Sequence, residues 1–210
     1  WKMAENKGAA NKNQAYAISD IAGTRRLYAG WADTYDADTT EGMGYVAHEV
    51  VADLAAEFLD KGVPVLALAC GTGMLGTELR QRGFSTIDGL DLSPEMLAKA
   101  EALGVYRKLG ELDMTQAYDI EDASVAALTC CGIFGPSVIG PEHLVHLAPP
   151  MKSGARAVIS INGKGYEERP FEDALEALFD DGLFREIYRG FNDYLPKEDI
   201  DALYVVLERF

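Results

Sequence analysis

The strongest constraint on the fold of this chain is an apolar run that ends in a glycine-rich turn. Residues 65–73 read Val-Leu-Ala-Leu-Ala-Cys-Gly-Thr-Gly, and glycine lets a backbone approach a ligand closely. The amphipathic stretch 74–81 predicts a helix whose first N–H groups face that turn. A second short strand ends at Asp91, twenty residues beyond Gly71, where a carboxylate can accept hydrogen bonds from both ribose hydroxyls. Together these features predict the nucleoside-binding half of an α/β fold.

Predicted strands and helices alternate along most of the chain. Strands are expected over 63–69, 86–90, 106–109, 124–130 and 155–161, and helices over 43–59, 74–82, 93–104, 140–149 and 170–181. Two final strands are expected near 183–189 and 203–210. This alternation predicts an α/β fold, a Rossmann-like seven-stranded, mostly parallel sheet with helices on both faces. No helix is predicted between the last two strands, so the last strand is expected to run antiparallel.

Length and charge narrow the class of protein. The 210 residues suit one α/β domain. The polar residues 1–15 are expected to be disordered or an added segment, which leaves 16–210 as the domain. The chain carries 34 acidic and 19 basic residues, a formal net charge of −15. Nucleic-acid binding depends on neutralising phosphates with Lys and Arg, so neither nucleic acids nor anionic membranes are expected partners.

The cellular setting is predicted from segments that the sequence lacks. We find no signal-peptide pattern and no apolar run long enough to cross a membrane. Three cysteines, two of them adjacent at Cys130 and Cys131, do not form a disulfide framework. A cytoplasmic protein is therefore expected, and either a monomer or a homodimer is compatible with the sequence.

The glycine turn by itself leaves the nucleoside open. Gly71-Thr-Gly73-Met-Leu-Gly76 matches the G-x-G-x-x-G fingerprint of dinucleotide-binding folds, with Asp91 at the expected distance. A nicotinamide-dependent oxidoreductase is one interpretation of this pattern. Gly110-Glu-Leu-Asp113-Met and the turn 147–154, Leu-Ala-Pro-Pro-Met-Lys-Ser-Gly, are not required by such a fold.

With these segments the chain resembles the class I S-adenosylmethionine-dependent methyltransferases from about Tyr28 to the C-terminus. Residues 65–73, 89–97 and 110–114 are similar to the first three motifs of that family, and 147–154 is similar to its turn into strand five. Residues 28–36, Tyr-Ala-Gly-Trp-Ala-Asp-Thr-Tyr-Asp, resemble the N-terminal lid of small-molecule methyltransferases, which predicts a lid over about 16–42. The Williams–Beuren syndrome region methyltransferase-like group is the most similar subgroup that we recognise.

The resemblance implies a set of residues that contact S-adenosylmethionine. Asp91 takes the ribose-binding place, Asp113 meets the adenine amino group, and the next residue flanks the ring. The full set implied is Tyr28, Trp31, Tyr35, Ala69, Cys70, Gly71, Thr72, Gly73, Asp91, Leu92, Met96, Asp113, Met114 and Cys131.

The chain departs from the family pattern near the first motif. The acidic residue that the family usually has in strand one is Ala67 here, and its first glycine is Ala69. Losing the acid removes a polar anchor for the methionine end of the cofactor, so either the affinity is lower or residues of the lid supply the contact. These departures also favour a second alternative, a module that binds S-adenosylmethionine without transferring its methyl group.

Several other residues are candidates for metal binding or catalysis. Cys130 and Cys131 end a strand at the ligand-binding edge, but structural cysteines explain them better than a metal site, and no metal is predicted. His143 and His146 lie three residues apart on an expected helix. With Tyr35 they are the predicted catalytic residues, since an amine or hydroxyl acceptor has to lose a proton.

The sequence thus predicts a methyltransferase that acts on a small molecule. The acceptor pocket is expected above the ends of strands four and five, and the loop that contains Ile133, Phe134, Val138 and Ile139 is apolar. That composition favours an acceptor with hydrophobic bulk. The atom that receives the methyl group is left open.

Overall fold

A seven-stranded sheet organises the protein in the computed structural model, which describes residues 2–210, with side chains from residue 8 onward. The strands are β1 Val65–Leu68, β2 Ile87–Asp91, β3 Lys108–Glu111, β4 Val125–Phe134, β5 Met151–Asn162, β6 Phe184–Leu195 and β7 Ile200–Arg209. Their order in the sheet is β3-β2-β1-β4-β5-β7-β6. The neighbouring pairs from β3 to β5 are parallel, and β7 runs antiparallel to both β5 and β6. The predicted fold class and the antiparallel last strand are therefore confirmed.

Helices cover both faces of this sheet. They are α1 Lys2–Ala17, α2 Ile21–Trp31, α3 Ala47–Phe58, α4 Met74–Gln81, α5 Pro94–Ala102, α6 Gly163–Glu168 and α7 Phe171–Asp180. A π-helical segment spans Ala37–Met43, and 3-10 segments span Pro141–Leu147 and Pro196–Glu198. No helix in the described part of the chain is long and apolar enough to cross a lipid bilayer.

The core lies in two layers because successive strand residues point to opposite faces. On one face Ala127 and Val158 pack with apolar residues of α3 and α4, such as Val51 and Leu79. On the other face their neighbours along the strands, Leu128 and Ile159, pack with α7 and the 3-10 segment that precedes β5. The central strands are buried on both sides, as their near-continuous apolar sequences indicate.

Two N-terminal expectations differ from the structure. The helix expected over 43–59 begins only at Ala47, because the π-helical segment before it ends at Gly44 with φ at +75°. Residues 2–17 form α1, where a disordered or added segment was expected over 1–15; Trp1 lies outside the described residues. Side-chain contacts attach α1 to the domain: Tyr16 Oη accepts a hydrogen bond from Asn162 Nδ2 at 3.2 Å, Lys12 pairs with Glu198, and the Lys164 ammonium lies 5.7 Å from the centroid of the Tyr16 ring.

The other differences concern the lengths of elements. β4 and β5 extend beyond the predicted 124–130 and 155–161, and β3 begins two residues later than expected. The segment after Gly140 forms a 3-10 helix that Pro149 and Pro150 follow. β4 continues past Cys130 with an irregular register against β5, and Gly132 adopts a φ of +75° there. This irregular end of β4 forms one wall of the site.

Candidate active site

A cleft opens at the carboxyl-terminal ends of β1, β2 and β4, where ligands bind in open α/β sheets. It contains about 910 Å³ of empty space, part of it open to solvent. Helices α1 and α2 form its roof, and the sheet edge forms its floor. Most of the lining is apolar, and the charged side chains among the described lining residues are Asp91 and Arg25.

Asp91 is the polar anchor of the cleft. One of its oxygens accepts a hydrogen bond from the N–H of Gly71 at 2.8 Å, and the other accepts from the N–H of Ser93 at 2.9 Å. A carboxylate oxygen has a second lone pair, so each can still accept a hydrogen bond from a ligand hydroxyl. Burial raises the pKa of Asp91, while the two backbone hydrogen bonds favour its ionised form.

The turn after β1 brings backbone up to the same space. Gly71 has a φ of +55°, and a Cβ at this position would meet no atom within 4 Å, so the turn leaves open room beside Asp91. Ala69 shares the left-handed conformation, with a φ of +51°, although its Cβ makes that region costly. Gly73 also has a positive φ, of +99°, but there is no room beside it, because a Cβ there would lie 2.6 Å from Leu103.

Apolar side chains flank the space beyond Asp91. Leu92, Met96, Leu112 and Met114 line it and suit the two faces of a purine ring. The structure does not bring Asp113 into this lining: its Oδ1 accepts hydrogen bonds from the backbone N–H and the hydroxyl of Thr115, at 2.9 and 2.6 Å. We refer to the region from Asp91 to Met114 as the nucleoside end.

Three aromatic side chains of the predicted lid form one cluster. Tyr28 and Tyr35 line the cleft, with ring centroids 6.1 Å apart. Trp31 lies behind them, 3% exposed, and its Nε1 donates to Asp38 at 2.8 Å. The indole therefore supports the two tyrosines and does not itself line the cleft. Burial raises the pKa of Tyr28 to about 12 and that of Tyr35 as well, so both hydroxyls are protonated at neutral pH.

Cys131 lines the cleft from the irregular last part of β4. Its sulfur is 3.1 Å from the hydroxyl of Tyr45, and burial raises its pKa to about 11, so the group is a neutral thiol at pH 7. The next residue, Gly132, leaves room for this pair, since a Cβ there would lie 2.5 Å from Tyr45 Oη. Cys130 is fully buried in the core under the sheet and is a structural residue.

Beyond Cys131 the lining becomes apolar, and we refer to this region as the acceptor end. Its described lining residues are Gly132, Ile133, Ser137, Val138 and Ile139 below, with Ala15, Ile18 and Ile21 above. Arg169 holds the loop that carries Ser137 and Ile139: its guanidinium donates to the carbonyls of Gly135 and Ser137 at 3.2 and 2.7 Å and pairs with Glu142.

The two predicted catalytic histidines lie outside the cleft lining. His143 Nδ1 accepts the N–H of Gly140 at 3.1 Å, and burial lowers its pKa. His146 packs edge-on against His143 and Tyr118. Of the residues predicted to act on the acceptor, Tyr35 is the one that lines the cleft. Phe134, which was expected in the acceptor loop, is buried at 1% exposure and does not line the cleft; Asn162, 3% exposed, lies against Gly135 of the same loop.

A smaller side chamber adjoins the cleft and contains residues that sequence analysis missed. It shares Tyr35, Ala69, Gly71 and Cys131 with the cleft. Six residues line the chamber but not the cleft: Tyr45, His48, Cys70, Thr72, Met74 and Leu75. Tyr45 and His48 lie at the start of α3, a position for which the sequence carries no motif. Only the fold brings them beside the glycine turn.

The residues of the cleft fit S-adenosylmethionine. Asp91 offers free lone pairs to a ribose, the apolar side chains beside it accept a purine, and the open space at Gly71 admits a ligand against the backbone. The tyrosines and the Cys131 thiol are neutral groups beside the path from the nucleoside to the acceptor end. A bound sulfonium would therefore meet no fixed positive side chain among the described residues of this central part.

Comparison with known proteins agrees with the geometry. Residues 65–145 match the family described as methyltransferase domain. Methyltransferase-like protein 27 of Homo sapiens is 36% identical over 117 residues, which cover 51% of this chain and 47% of that protein. A dTDP-3-amino-3,6-dideoxy-alpha-D-glucopyranose N,N-dimethyltransferase of Streptomyces fradiae is 41% identical over 86 residues, 39% of this chain and 33% of that protein. The matches thus span about half or less of these curated relatives.

A solved structure supports the same fold over nearly the whole chain. The [4+2]-cyclase SpnF superposes with a TM-score of 0.70 at 13% identity, covering 91% of this chain and 97% of that one. Identity this low carries the fold and not the chemistry. The Williams–Beuren subgroup stays a prediction. The match over residues 65–145, the sheet order and the relatives together support a class I S-adenosylmethionine-dependent methyltransferase.

Proposed function

We propose that this chain binds S-adenosylmethionine in the cleft and transfers its methyl group to a small, uncharged acceptor. The observation that carries the proposal is the division of the cleft at Cys131. On one side Asp91 and its apolar neighbours suit a nucleoside, and on the other side the lining is apolar. The cofactor and the acceptor would meet at this division.

The contribution of the protein is to position the reactants and exclude water. Methyl transfer is an in-line displacement in which an acceptor lone pair attacks the methyl carbon while the carbon–sulfur bond breaks. S-adenosylmethionine, when bound, supplies a methyl group that the sulfonium already activates. Asp91 holds the nucleoside, which orients the methyl group toward the acceptor end. The roof of α1 and α2 excludes water from the reacting groups.

The groups near Cys131 favour hydrogen bonding over proton abstraction. The Cys131 thiol and the Tyr28 and Tyr35 hydroxyls are protonated at neutral pH, since burial raises the pKa of each. They can orient an acceptor, but because each already holds its proton, none of them is available to take a proton from the acceptor. We therefore expect an acceptor whose proton is lost to solvent, before or after transfer, with Tyr35 as a hydrogen-bond partner.

Charge narrows the class of acceptor. Arg25, the one cationic side chain among the described lining residues, pairs with Glu111 at 3.0 Å. The net charge of −15 repels anions at longer range. An acceptor that carries phosphates would meet no unpaired cation among the described lining residues, so we expect a neutral, partly apolar molecule. The dimethyltransferase from Streptomyces fradiae, named for a dTDP-sugar, marks the alternative class.

The test combines binding with transfer. Calorimetric titration with S-adenosylmethionine and S-adenosylhomocysteine, with NADH as the control, should give micromolar affinity for the first two only. Transfer of a labelled methyl group should then be measured over matched neutral and phosphorylated acceptors, and neutral compounds should react faster.

Three results would contradict parts of the proposal. Binding of NADH alone would favour the oxidoreductase. Tight binding of S-adenosylhomocysteine without transfer to any acceptor would favour a non-catalytic module. Preferential transfer to the phosphorylated acceptors would overturn the inferred acceptor class and leave the cofactor assignment standing.

A further inference from the structure

His48 carries a buried polar atom that the protein leaves without a partner. The residue is 8% exposed and lies in the first turn of α3, facing the side chamber. Its Nδ1 is buried and forms no hydrogen bond. Leaving a buried polar group unpaired costs free energy, and such groups in native proteins call for an explanation.

The surroundings of His48 hold the ring in place without satisfying it. The imidazole stacks on Tyr45, with centroids 5.4 Å apart and planes 20° from parallel. Its other nitrogen, Nε2, lies 4.0 Å from the Glu49 carboxylate, on the side away from the core. Burial lowers the pKa of His48, so at neutral pH the ring is an uncharged group that can offer one donor and one acceptor.

The side chamber joins the cleft at the point where the cleft divides. Ala69, Gly71 and Cys131 border both spaces. From this junction one branch leads to Asp91, a second leads to the acceptor end, and the third leads into the chamber toward His48. A sulfonium sulfur has three substituents, and in S-adenosylmethionine these are the adenosyl group, the methyl group and the aminocarboxypropyl group.

We propose that His48 binds the aminocarboxypropyl group of the cofactor in the side chamber, which deepens the proposed function and rests on it. With the adenosyl group held at Asp91 and the methyl group directed to the acceptor end, the third substituent enters the remaining branch. The His48 imidazole meets its ammonium or carboxylate there and gains the hydrogen bond that Nδ1 lacks. The family's usual acid is Ala67 in this chain, fully buried in β1, so His48 supplies a polar contact that strand one does not.

The experiment compares two ligands that differ only at this end. S-adenosylhomocysteine has the aminocarboxypropyl group, whereas 5′-methylthioadenosine has a methyl group in its place. His48→Phe keeps a ring to stack on Tyr45 and removes both nitrogens. Calorimetry should show that this variant binds S-adenosylhomocysteine about tenfold more weakly, the scale of one hydrogen bond to a charged group, while the affinity for 5′-methylthioadenosine changes by less than about twofold. His48→Gln, which keeps a donor and an acceptor, should recover part of the loss.

The ratio of the two affinities decides the question. An equal loss for both ligands, or no loss for either, would overturn the assignment of His48. Thermal unfolding of each variant identifies any loss of folded protein, and Glu49→Gln serves as the matched control because it changes the neighbouring residue outside the chamber lining. If the unmodified protein binds neither ligand, the proposed function fails; if it binds S-adenosylhomocysteine and the ratio stays constant in His48→Phe, only this inference fails.

Discussion

The nucleoside end and the acceptor end of the cleft are built in different ways. The polar anchor of the nucleoside end, Asp91, is fixed by residues close to it in sequence, since the backbone N–H groups of Gly71 and Ser93 donate to its carboxylate. The acceptor end joins Ile18 on the roof to Ser137 and its neighbours, more than a hundred residues away. One end is charged and locally encoded, and the other is apolar and assembled by the fold.

This difference has a functional meaning. A locally encoded end suits a ligand that stays the same across a family, because glycine turns and a strand-end carboxylate form the same contacts wherever they occur. An end assembled from distant loops can change its shape without disturbing the sheet. The comparison therefore predicts that substitutions at the nucleoside end change cofactor affinity, whereas substitutions at the acceptor end change the stability of the acceptor loop and leave cofactor affinity unchanged.

The largest expected effect is on cofactor affinity at the nucleoside end. Asp91→Ala removes the carboxylate that we propose accepts from both ribose hydroxyls, and it should weaken S-adenosylhomocysteine binding by about 1.5–3 kcal/mol. Isothermal titration calorimetry measures this directly. Asp88→Ala is the matched control, because Asp88 lies on the same strand but pairs with Arg107 outside the cleft. Equal affinity of Asp91→Ala and the unmodified protein would remove Asp91 from the site.

The pH dependence of binding sharpens the same test. Burial raises the pKa of Asp91, and the ionised carboxylate is the form that accepts from ribose. As the pH falls toward that raised pKa, the carboxylate protonates and affinity should decrease, earlier than for a carboxyl with the ordinary value. The residual affinity of Asp91→Ala should lack this decrease.

The next largest effect is expected on protein stability, from a substitution at the acceptor end. Arg169→Met removes the hydrogen bonds to Gly135 and Ser137 and the pair with Glu142, so the free energy of unfolding should fall by about 1–2 kcal/mol. Hydrogen exchange over 132–140 should become faster, and the affinity for S-adenosylhomocysteine should stay within about twofold because the nucleoside end is untouched.

A matched arginine provides the control for that variant. Arg185 pairs with Glu208 on the exposed face of β6, and Arg185→Met should change stability by less than about 0.5 kcal/mol. Unaltered exchange over 132–140 in Arg169→Met, or a large loss of cofactor affinity, would contradict the separation of the two ends.

The same contrast explains what could be predicted from the sequence. The glycine turn and the carboxylate at Asp91 are signals carried by a short stretch of sequence, and they predicted the nucleoside-binding half of the fold. The direction of a side chain depends on distant packing. Asp113 turns to Thr115 and Trp31 turns to Asp38, while His48 reaches the side chamber only because α3 packs against α4 and β4. No spacing rule could have predicted these three outcomes.

A smaller effect on the free energy of unfolding is expected at the turn after β1. Ala69 has a φ of +51°, a conformation that glycine adopts without the steric cost of a Cβ. Ala69→Gly should therefore raise the free energy of unfolding by about 1 kcal/mol. Ala67→Gly, two residues earlier in the buried strand, should lower it by a similar amount, about 1 kcal/mol. Chemical denaturation of both variants tests the pair, and a loss of stability in Ala69→Gly would show that its Cβ contributes packing that outweighs the backbone cost.

The smallest effect is expected at the two histidines that the sequence favoured as catalytic. His143 caps its own 3-10 segment through Gly140, and neither it nor His146 lines the cleft. His143→Gln and His146→Gln should therefore leave cofactor affinity and methyl transfer within about twofold, whereas Tyr35→Phe, which alters a side chain of the lining, should change transfer more than either. Transfer lost in both histidine variants with cofactor binding retained would mean that the 3-10 segment moves toward the cleft during turnover. The acceptor end would then contain ionisable groups during turnover, and the contrast between a charged nucleoside end and an apolar acceptor end would no longer hold.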